Sequence, residues 1–349
     1  MRRIVTILAI VMMLAMAPAT VIAQTFEEYT DVIEGFAAGV ASSLPLNSSV
    51  GLTWSDAYIG QFPRFGVGAT VGFSTVPYAT LEPIFTTLGL AQSIESSVIY
   101  GVLDTYGAPL PAYTVEARLG GFMVPFDIGV KIGTIPEGFD TTPRIERFSF
   151  DYLLVGADVR VGVVRGRGPL PKISIGAGYN HLDARIGLEG LATGGINLTD
   201  FTDPRDGVTT YSVQLTDPTI EYFWRANIVD FTAQASMDLL FLTPYIGAGA
   251  SIGFGSAGGG LTGELTTTPA LSETELAAIN AAFEALGTGM QPALGPQGLH
   301  VTADMPAGWA FRAYGGVSFN LLIVRLDLTG MYDFLGKNYG ATVGLRIQF

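Results

Sequence analysis

The stretch that decides the fold is the last one, Tyr339 to Phe349: YGATVGLRIQF. Read at every second position, one side carries Tyr339, Ala341, Val343, Leu345, Ile347 and Phe349. The other carries Gly340, Thr342, Gly344, Arg346 and Gln348. Successive side chains of a strand point to opposite faces, so this alternation predicts a strand with one apolar and one polar side. It runs to a bare phenylalanine, and the rest of the chain supplies the reason.

The same period recurs upstream. Phe65, Val67, Ala69, Val71 and Phe73 alternate with Gly66, Gly68, Thr70, Gly72 and Ser74; similar runs cover Tyr113–Gly120, Phe126–Gly133 and Leu153–Val163. Phe148, Phe150 and Tyr152 have the opposite parity to Leu153–Val163, which predicts a bulge near Tyr152. Further strands are expected from near Lys172, Ile228, Tyr245, Ala310, Leu322 and Asn338. Each is at least the ~9–11 residues that a tilted strand needs to cross a bilayer. Charges sit mid-strand on the polar face, where a sandwich core would reject them and a wet lumen would not. They are Glu116, Arg118, Asp127, Lys131, Asp158, Arg160, Asp230, Asp238, Arg312, Arg325, Asp327 and Arg346, six of each sign. Several stand two apart on one strand, and cross-pairing in a narrow lumen is expected of them. Aromatics such as Tyr113, Tyr179, Tyr222, Trp224, Tyr245, Trp309 and Tyr332 gather at strand ends, as in interfacial girdles. Connections alternate short and long.

Composition agrees. Of 349 residues only 14% are charged, 48% are hydrophobic and 45 are glycine; there is no cysteine. A typical soluble domain has about 25% charged residues. Thiolate chemistry, disulfides and Cys-based metal sites are excluded. Arg2 and Arg3, the apolar Ile4–Met16, Pro18 and the small residues before Ala23 make a secretory signal peptide with expected cleavage after Ala23. Its loss takes the formal charge from −13 to −15, two arginines being removed.

From about Arg64 to Phe349 the pattern resembles bacterial outer-membrane β-barrels, whose last strand ends on phenylalanine. The resemblance implies that Tyr339, Val343, Leu345, Ile347 and Phe349 form the signal read by the barrel-assembly machinery. The expected fold is all-β: a transmembrane, antiparallel up-and-down barrel of about ten strands. Twelve is the alternative, with Ser48–Trp54 and Tyr211–Leu215 as the extra candidates. Two helices are expected outside this rhythm. One is Thr25–Val40, with Phe26, Tyr29, Ile33, Phe36 and Val40 at helical spacing. The other is Ser272–Gly287, with Ser272 and Glu275 as a capping box. The division is then a signal peptide at 1–23, a helical segment and linker at 24–63, and a barrel at 64–349. The inward face is rich in glycine, which leaves room for a pore or an insert. The N-terminal helix, tethered by Ala41–Pro63, is expected across the periplasmic mouth.

No motif carries catalysis. Gly249–Gly253 (GASIG) matches a nucleophile elbow but lies inside a strand pattern, without the strand-to-helix turn that elbow needs. Gly66–Gly72 (GVGATVG) lacks the following helix of a dinucleotide site. His181 shares the parity of Tyr179 and is expected to face lipid near the rim. Asp200, Asp203 and Asp206 do not keep a calcium-loop pattern, so no metal, cofactor or enzyme activity is expected. The acids Glu264, Glu273, Glu275, Glu284 and Asp304 are unopposed between Gly255 and Gly308. They predict an acidic outer mouth that draws cations and disfavours nucleic acid. The expected function is a narrow passive channel or transporter for small solutes in the outer membrane, with lipid and the assembly machinery as partners. The alternatives are a non-conducting structural or surface-interaction barrel, and a hydrophobic-substrate transporter with a luminal N-terminal helix.

Overall fold

A computed structural model of the chain describes residues 40–349, apart from 61, 88–90, 98–99, 122–123, 135–147, 167–169, 189–195, 204, 286–290 and 296–297. Its strands in chain order are β1 (Phe65–Val76), β2 (Ala108–Gly120), β3 (Phe126–Thr134), β4 (Phe148–Arg165), β5 (Lys172–Leu188) and β6 (Ile196–Thr202). They continue with β7 (Thr210–Ser236), β8 (Leu242–Thr268), β9 (Gln291–Gly295), β10 (Gly298–Leu321), β11 (Val324–Asp333) and β12 (Asn338–Gln348). Ten of them pair antiparallel in the order β11-β12-β1-β2-β3-β4-β5-β7-β8-β10, and β10 pairs with β11 to close the ring. The closure leaves the ring without an edge strand. β6 and β9 add to β7 and β10 outside this ring. Ser48–Trp54 is not a strand, and Tyr211–Leu215 is the outer end of β7.

The alternation is realised in three dimensions. Val67, Val71, Val115, Ile128, Val130, Ile132, Val159, Ile175, Val343 and Leu345 are exposed on the outside, while Thr70, Glu116, Arg118, Lys131, Arg160 and Arg346 are buried within. At one end the connections are short: 121–125, 166–171, 237–241 and 322–323. At the other lie the long loops, including 77–107 and 269–297. The terminal strand seals the seam. Phe349 N–H donates to the Phe65 carbonyl at 2.8 Å, and the two rings stack 5.0 Å apart.

The interior is divided by height. In the half nearer the short turns it is charged. In the half nearer the long loops it is apolar, built from inward residues such as Ala112, Tyr152, Leu154, Leu182, Trp224 and Ile228. This layering corrects two expectations. β4 has no bulge at Tyr152; its register with β5 is continuous there and shifts between Gly162 and Val164. The parity changed because Tyr152 and Leu154 are inward apolar residues of the upper layer, while Leu153 and Val155 stay outside. Tyr222, Trp224 and Tyr245 likewise turn inward and are not girdle residues. Exposed aromatics include Phe65 and Phe349 at one end, and Tyr106, Tyr339, Phe334, Trp309 and Phe311 towards the other; Tyr179, Phe73, Phe231 and Phe254 are exposed as well.

β7 and β8 are 27 residues each and β10 is 24. A membrane strand needs only ~9–11, so these three project well beyond the bilayer at the long-loop end. The helix Glu273–Ala285 caps this extension, burying Leu276 and Ile279. Its capping box forms as expected. Glu275 N–H bonds Ser272 Oγ at 3.3 Å, and the Ser272 N–H and hydroxyl both donate to the Glu275 carboxylate, holding its pKa below the usual range.

Candidate functional site: an occupied lumen

Between residue 40 and β1 the chain does not lie outside the barrel. Residues 40–48 are helical, residues 49–60 carry no strand, and nearly all are buried. Each step along this segment meets a lower level of the wall. Ser42 C=O accepts from Asn338 Nδ2 at 3.0 Å and Asn47 Nδ2 donates to Leu110 C=O at 2.9 Å, both at the long-loop ends of their strands. At mid-height Lys131 donates to the Ser48 and Val50 carbonyls, and Leu52 N–H donates to Glu116. Lower, Ser174 Oγ donates to Ala57 C=O at 2.6 Å and Ile59 N–H donates to Asp127 at 2.7 Å. Finally Phe62 N–H reaches Gly121 C=O at 2.9 Å, in a short turn. The segment therefore threads the whole lumen. It is the supposed tether, Ala41 onward, that fills the barrel. The expected helix Thr25–Val40 falls outside the described residues except for Val40, which lies in the apolar layer near the long loops.

Apolar layer meets apolar segment: Val40, Leu44, Leu46 and Val50 pack against Val76, Leu110, Tyr152 and Leu182. Below them the chemistry changes to charge. Asp56, 2% exposed, is reached by Arg346 at 3.1 Å, Arg325 at 2.8 Å and Lys172 at 4.0 Å. Trp54 lies beneath two guanidiniums, Arg346 at 4.6 Å and Arg118 at 5.6 Å from the ring. Gln234 donates to the Trp54 and Ser55 carbonyls, and Arg160 to the Asp56 carbonyl. The sparse inward wall is explained at two places. A Cβ on Gly66 would lie 2.8 Å from the Trp54 ring, and one on Gly162 would lie 2.6 Å from Tyr58. Those glycines are seats for the segment's aromatics.

The expected luminal charges fall into place with one exception. Arg118 bridges Asp127 (2.5 Å) and Asp158 (2.8 Å), Arg160 joins Asp127 (2.9 Å), Arg312 joins Asp230 (2.7 Å), and Arg346 joins Asp327 (2.6 Å). The pairs cross between strands rather than joining residues two apart on one strand. Asp238 is the exception. It lies in the turn after β7, half-exposed, paired with Lys172 at 2.6 Å. Of the expected charges, six cations and five acids then line the wall, and Asp56 from the segment adds a sixth acid among them. Sequence reasoning missed Asp56 and Trp54 because SSVGLTW alternates like a strand. The signals against a strand were Pro45, Gly51 and Gly60, and an acid two residues after Trp54.

A polar cavity lies beside the segment, edged by Lys131, Asp158, Asn180, Asp230, Arg312 and Tyr314, with about 40 Å³ of room, space for a water or two. His181 faces outward and bonds Asn227 at 2.9 Å, while Asp183, two residues on, pairs with Arg225 at 2.6 Å.

A closed antiparallel ring with an apolar outside and a charged inside defines the class: a transmembrane β-barrel of the outer-membrane type. No family model matches the sequence, and no curated protein does. Solved structures that the chain is similar to include the transport unit of the autotransporter AIDA-I from Escherichia coli. It is 11% identical over 90% of this chain and 99% of that one, with a TM-score of 0.33. The outer-membrane protease OmpT from Escherichia coli is 8% identical over 85% and 100%, TM-score 0.40. The toluene transporter TbuX from Ralstonia pickettii is 9% identical over 87% and 92%, TM-score 0.26. Likenesses this distant carry no argument about activity, which must come from the lumen itself.

Proposed function

We propose that this chain is an outer-membrane channel or transporter for small solutes, closed at rest by its own residues 40–59. The observation that carries the reading is the descent of contacts from Ser42–Asn338 to Phe62–Gly121, which leaves no open axis. The polar cavity beside the segment is the remnant of the path. By the usual rhythm of such barrels the short turns are periplasmic and the long loops outside. Signal-peptide cleavage after Ala23 and recognition of Tyr339–Phe349 by the assembly machinery complete the picture, with lipid against the apolar exterior. A hydrophobic-substrate route is disfavoured, because Leu44, Leu46 and Val50 already occupy the apolar layer it would use.

The test is conductance in planar bilayers. A variant with residues 40–59 replaced by a Gly/Ser stretch of equal length should conduct several-fold more than the full chain. If the two conduct alike while the barrel assembles normally, the channel reading fails. The barrel is then a structural or surface-interaction protein, a role that the projecting β7, β8 and β10 also suit.

A further inference from the structure

We infer that two apolar turns at the short-turn end are lipid anchors: Leu240 and Leu322 insert at the headgroup–acyl boundary of the leaflet there, and cations beside them hold anionic phospholipid. The barrel need not conduct for this to be so.

Tight hairpin turns favour Gly, Asn or Asp. These two do not use them. The β7–β8 hairpin closes between Leu239 and Leu242, which exchange backbone bonds of 2.7 and 2.6 Å and leave Leu240 and Phe241 as the loop. The β10–β11 hairpin closes between Leu321 and Val324 and leaves Leu322 and Ile323. In each, the first loop residue is a leucine in the left-handed region, with φ 42° at Leu240 and 56° at Leu322. Glycine is the residue that region favours. Both leucines stand clear of the protein, 98% and 101% exposed, and Leu239, Phe241, Leu321 and Ile323 are exposed beside them. The two turns adjoin. Asn320 N–H donates to the Phe241 carbonyl at 2.8 Å, and Gln348 N–H donates to the Ile323 carbonyl at 2.8 Å, which brings exposed Phe349 to the same ledge. A contiguous apolar ledge of this kind marks a membrane or partner surface.

Its depth points to lipid. Asn227 ends the apolar exterior of β7 on the long-loop side: Tyr179 and His181 bond it from β5, and the exposed pair Asp183–Arg225 follows above. Below it the outward residues are Val229, Phe231, Ala233, Ala235, Met237 and Leu239, apolar without a break into the turn. From Val229 to Leu240 is eleven positions, which is ~36 Å along a strand and ~28 Å of height at a tilt of ~40°. The apolar band of such barrels is ~25 Å tall. The leucine tips therefore end just past the hydrocarbon, where the headgroups begin. A soluble partner would require no such match between the ledge and the band.

Charge selects the kind of lipid. The chain is −13 overall, yet this end is basic. Arg64 stands directly before Phe65 and Arg165 closes β4, and both are exposed. Among the described residues of this end the exposed acid side chain is Asp238, and Lys172 already neutralises it at 2.6 Å. Apolar side chains flanked by cations are the pattern that binds an anionic membrane surface.

The absence of cysteine makes the test clean. Leu240→Cys and Leu322→Cys carry a nitroxide spin label in the full chain, reconstituted in phosphatidylcholine vesicles with or without phosphatidylglycerol. Leu345→Cys, on the lipid-facing wall, and Val208→Cys, at the long-loop end, are the references; both native side chains are exposed. Collision with oxygen reports lipid, and collision with a neutral nickel chelate reports water. The oxygen-to-nickel ratio at 240 and 322 should be several-fold above that at 208 and approach that at 345. Ratios equal to that at 208 would place the turns in water and overturn the anchor, leaving the ledge to a protein partner or a second copy of the chain. Adding phosphatidylglycerol should raise the ratio at 240 and 322, and the double change Arg64→Gln, Arg165→Gln should abolish the rise. A ratio indifferent to phosphatidylglycerol would overturn the assignment of anionic lipid. Conductance is not read, so the outcome is separate from that of the channel proposal.

Discussion

Asp56 and Arg346 meet 3.1 Å apart inside the barrel, the acid on the threaded segment and the base on the final strand, 290 positions apart in the sequence. Arg346 also holds Asp327, and Arg325 joins Asp56 from the neighbouring strand. The seam of the barrel and the segment inside it are thus one electrostatic unit.

Replacing Asp56 by Asn removes the only segment carboxylate facing these cations. Removing one partner of a buried pair costs about 3–5 kcal/mol, since the other charge stays buried. The urea midpoint of the folded barrel in detergent should fall, with the slope of the transition unchanged. An unmoved midpoint would show that Asp56 is dispensable to the lumen.

Gly66→Val should displace Trp54, because even a Cβ at Gly66 lies 2.8 Å from the ring. The expected signature is a red shift of tryptophan emission and increased conductance, with the strands still paired. Gly330→Ala is the control, an exterior glycine with nothing within 4 Å, and should leave both readings unchanged. Equal behaviour of the two variants would refute the seating of Trp54.

Lys131→Met leaves the Ser48 and Val50 carbonyls without their donor, just where the short helix ends. Each buried acceptor left unpaired costs about 1–3 kcal/mol. Amide exchange across residues 49–55 should accelerate several-fold while exchange in β1 and β12 holds. Uniform acceleration through the barrel would assign Lys131 to the wall instead.

Phe349→Asp tests the seam. It removes the ring stacked on Phe65 and puts a charge on the lipid-facing end of β12. Slower insertion and a lower outer-membrane level are expected. Insertion at the wild-type rate would deny the terminal strand a role in assembly.

The barrel was legible in the sequence because lipid outside and water-like polarity inside impose a period of two on every strand. Phe65–Phe73 and Tyr339–Phe349 show this best, and their residues pair directly across the seam. What fills the barrel was not legible. A luminal arginine such as Arg118 advertises a need for acceptors but not that Leu52 C=O and Asp127 supply them. Residues 49–58 are enclosed on nearly all sides, so the alternation of Val50, Leu52 and Trp54 does not mark a two-faced strand there. Where the lumen itself turns apolar, at Tyr152 and Leu154, period two remains but its contrast vanishes, which is why parity misled there and at Tyr222 and Trp224.

The division of the lumen by height has a further effect. Turned end for end, the segment would set Asp56 among Leu154, Leu182 and Ile228, and Leu44 among the arginines. A carboxylate unpaired in such a layer costs several kcal/mol, or forces it to take up a proton. A slide by one helical turn, ~5.4 Å, meets the same obstacle in milder form. The wall therefore behaves as a keyed socket. It accepts one polarity sequence in one direction at one depth, and that discrimination resides in the strands before the thread has docked.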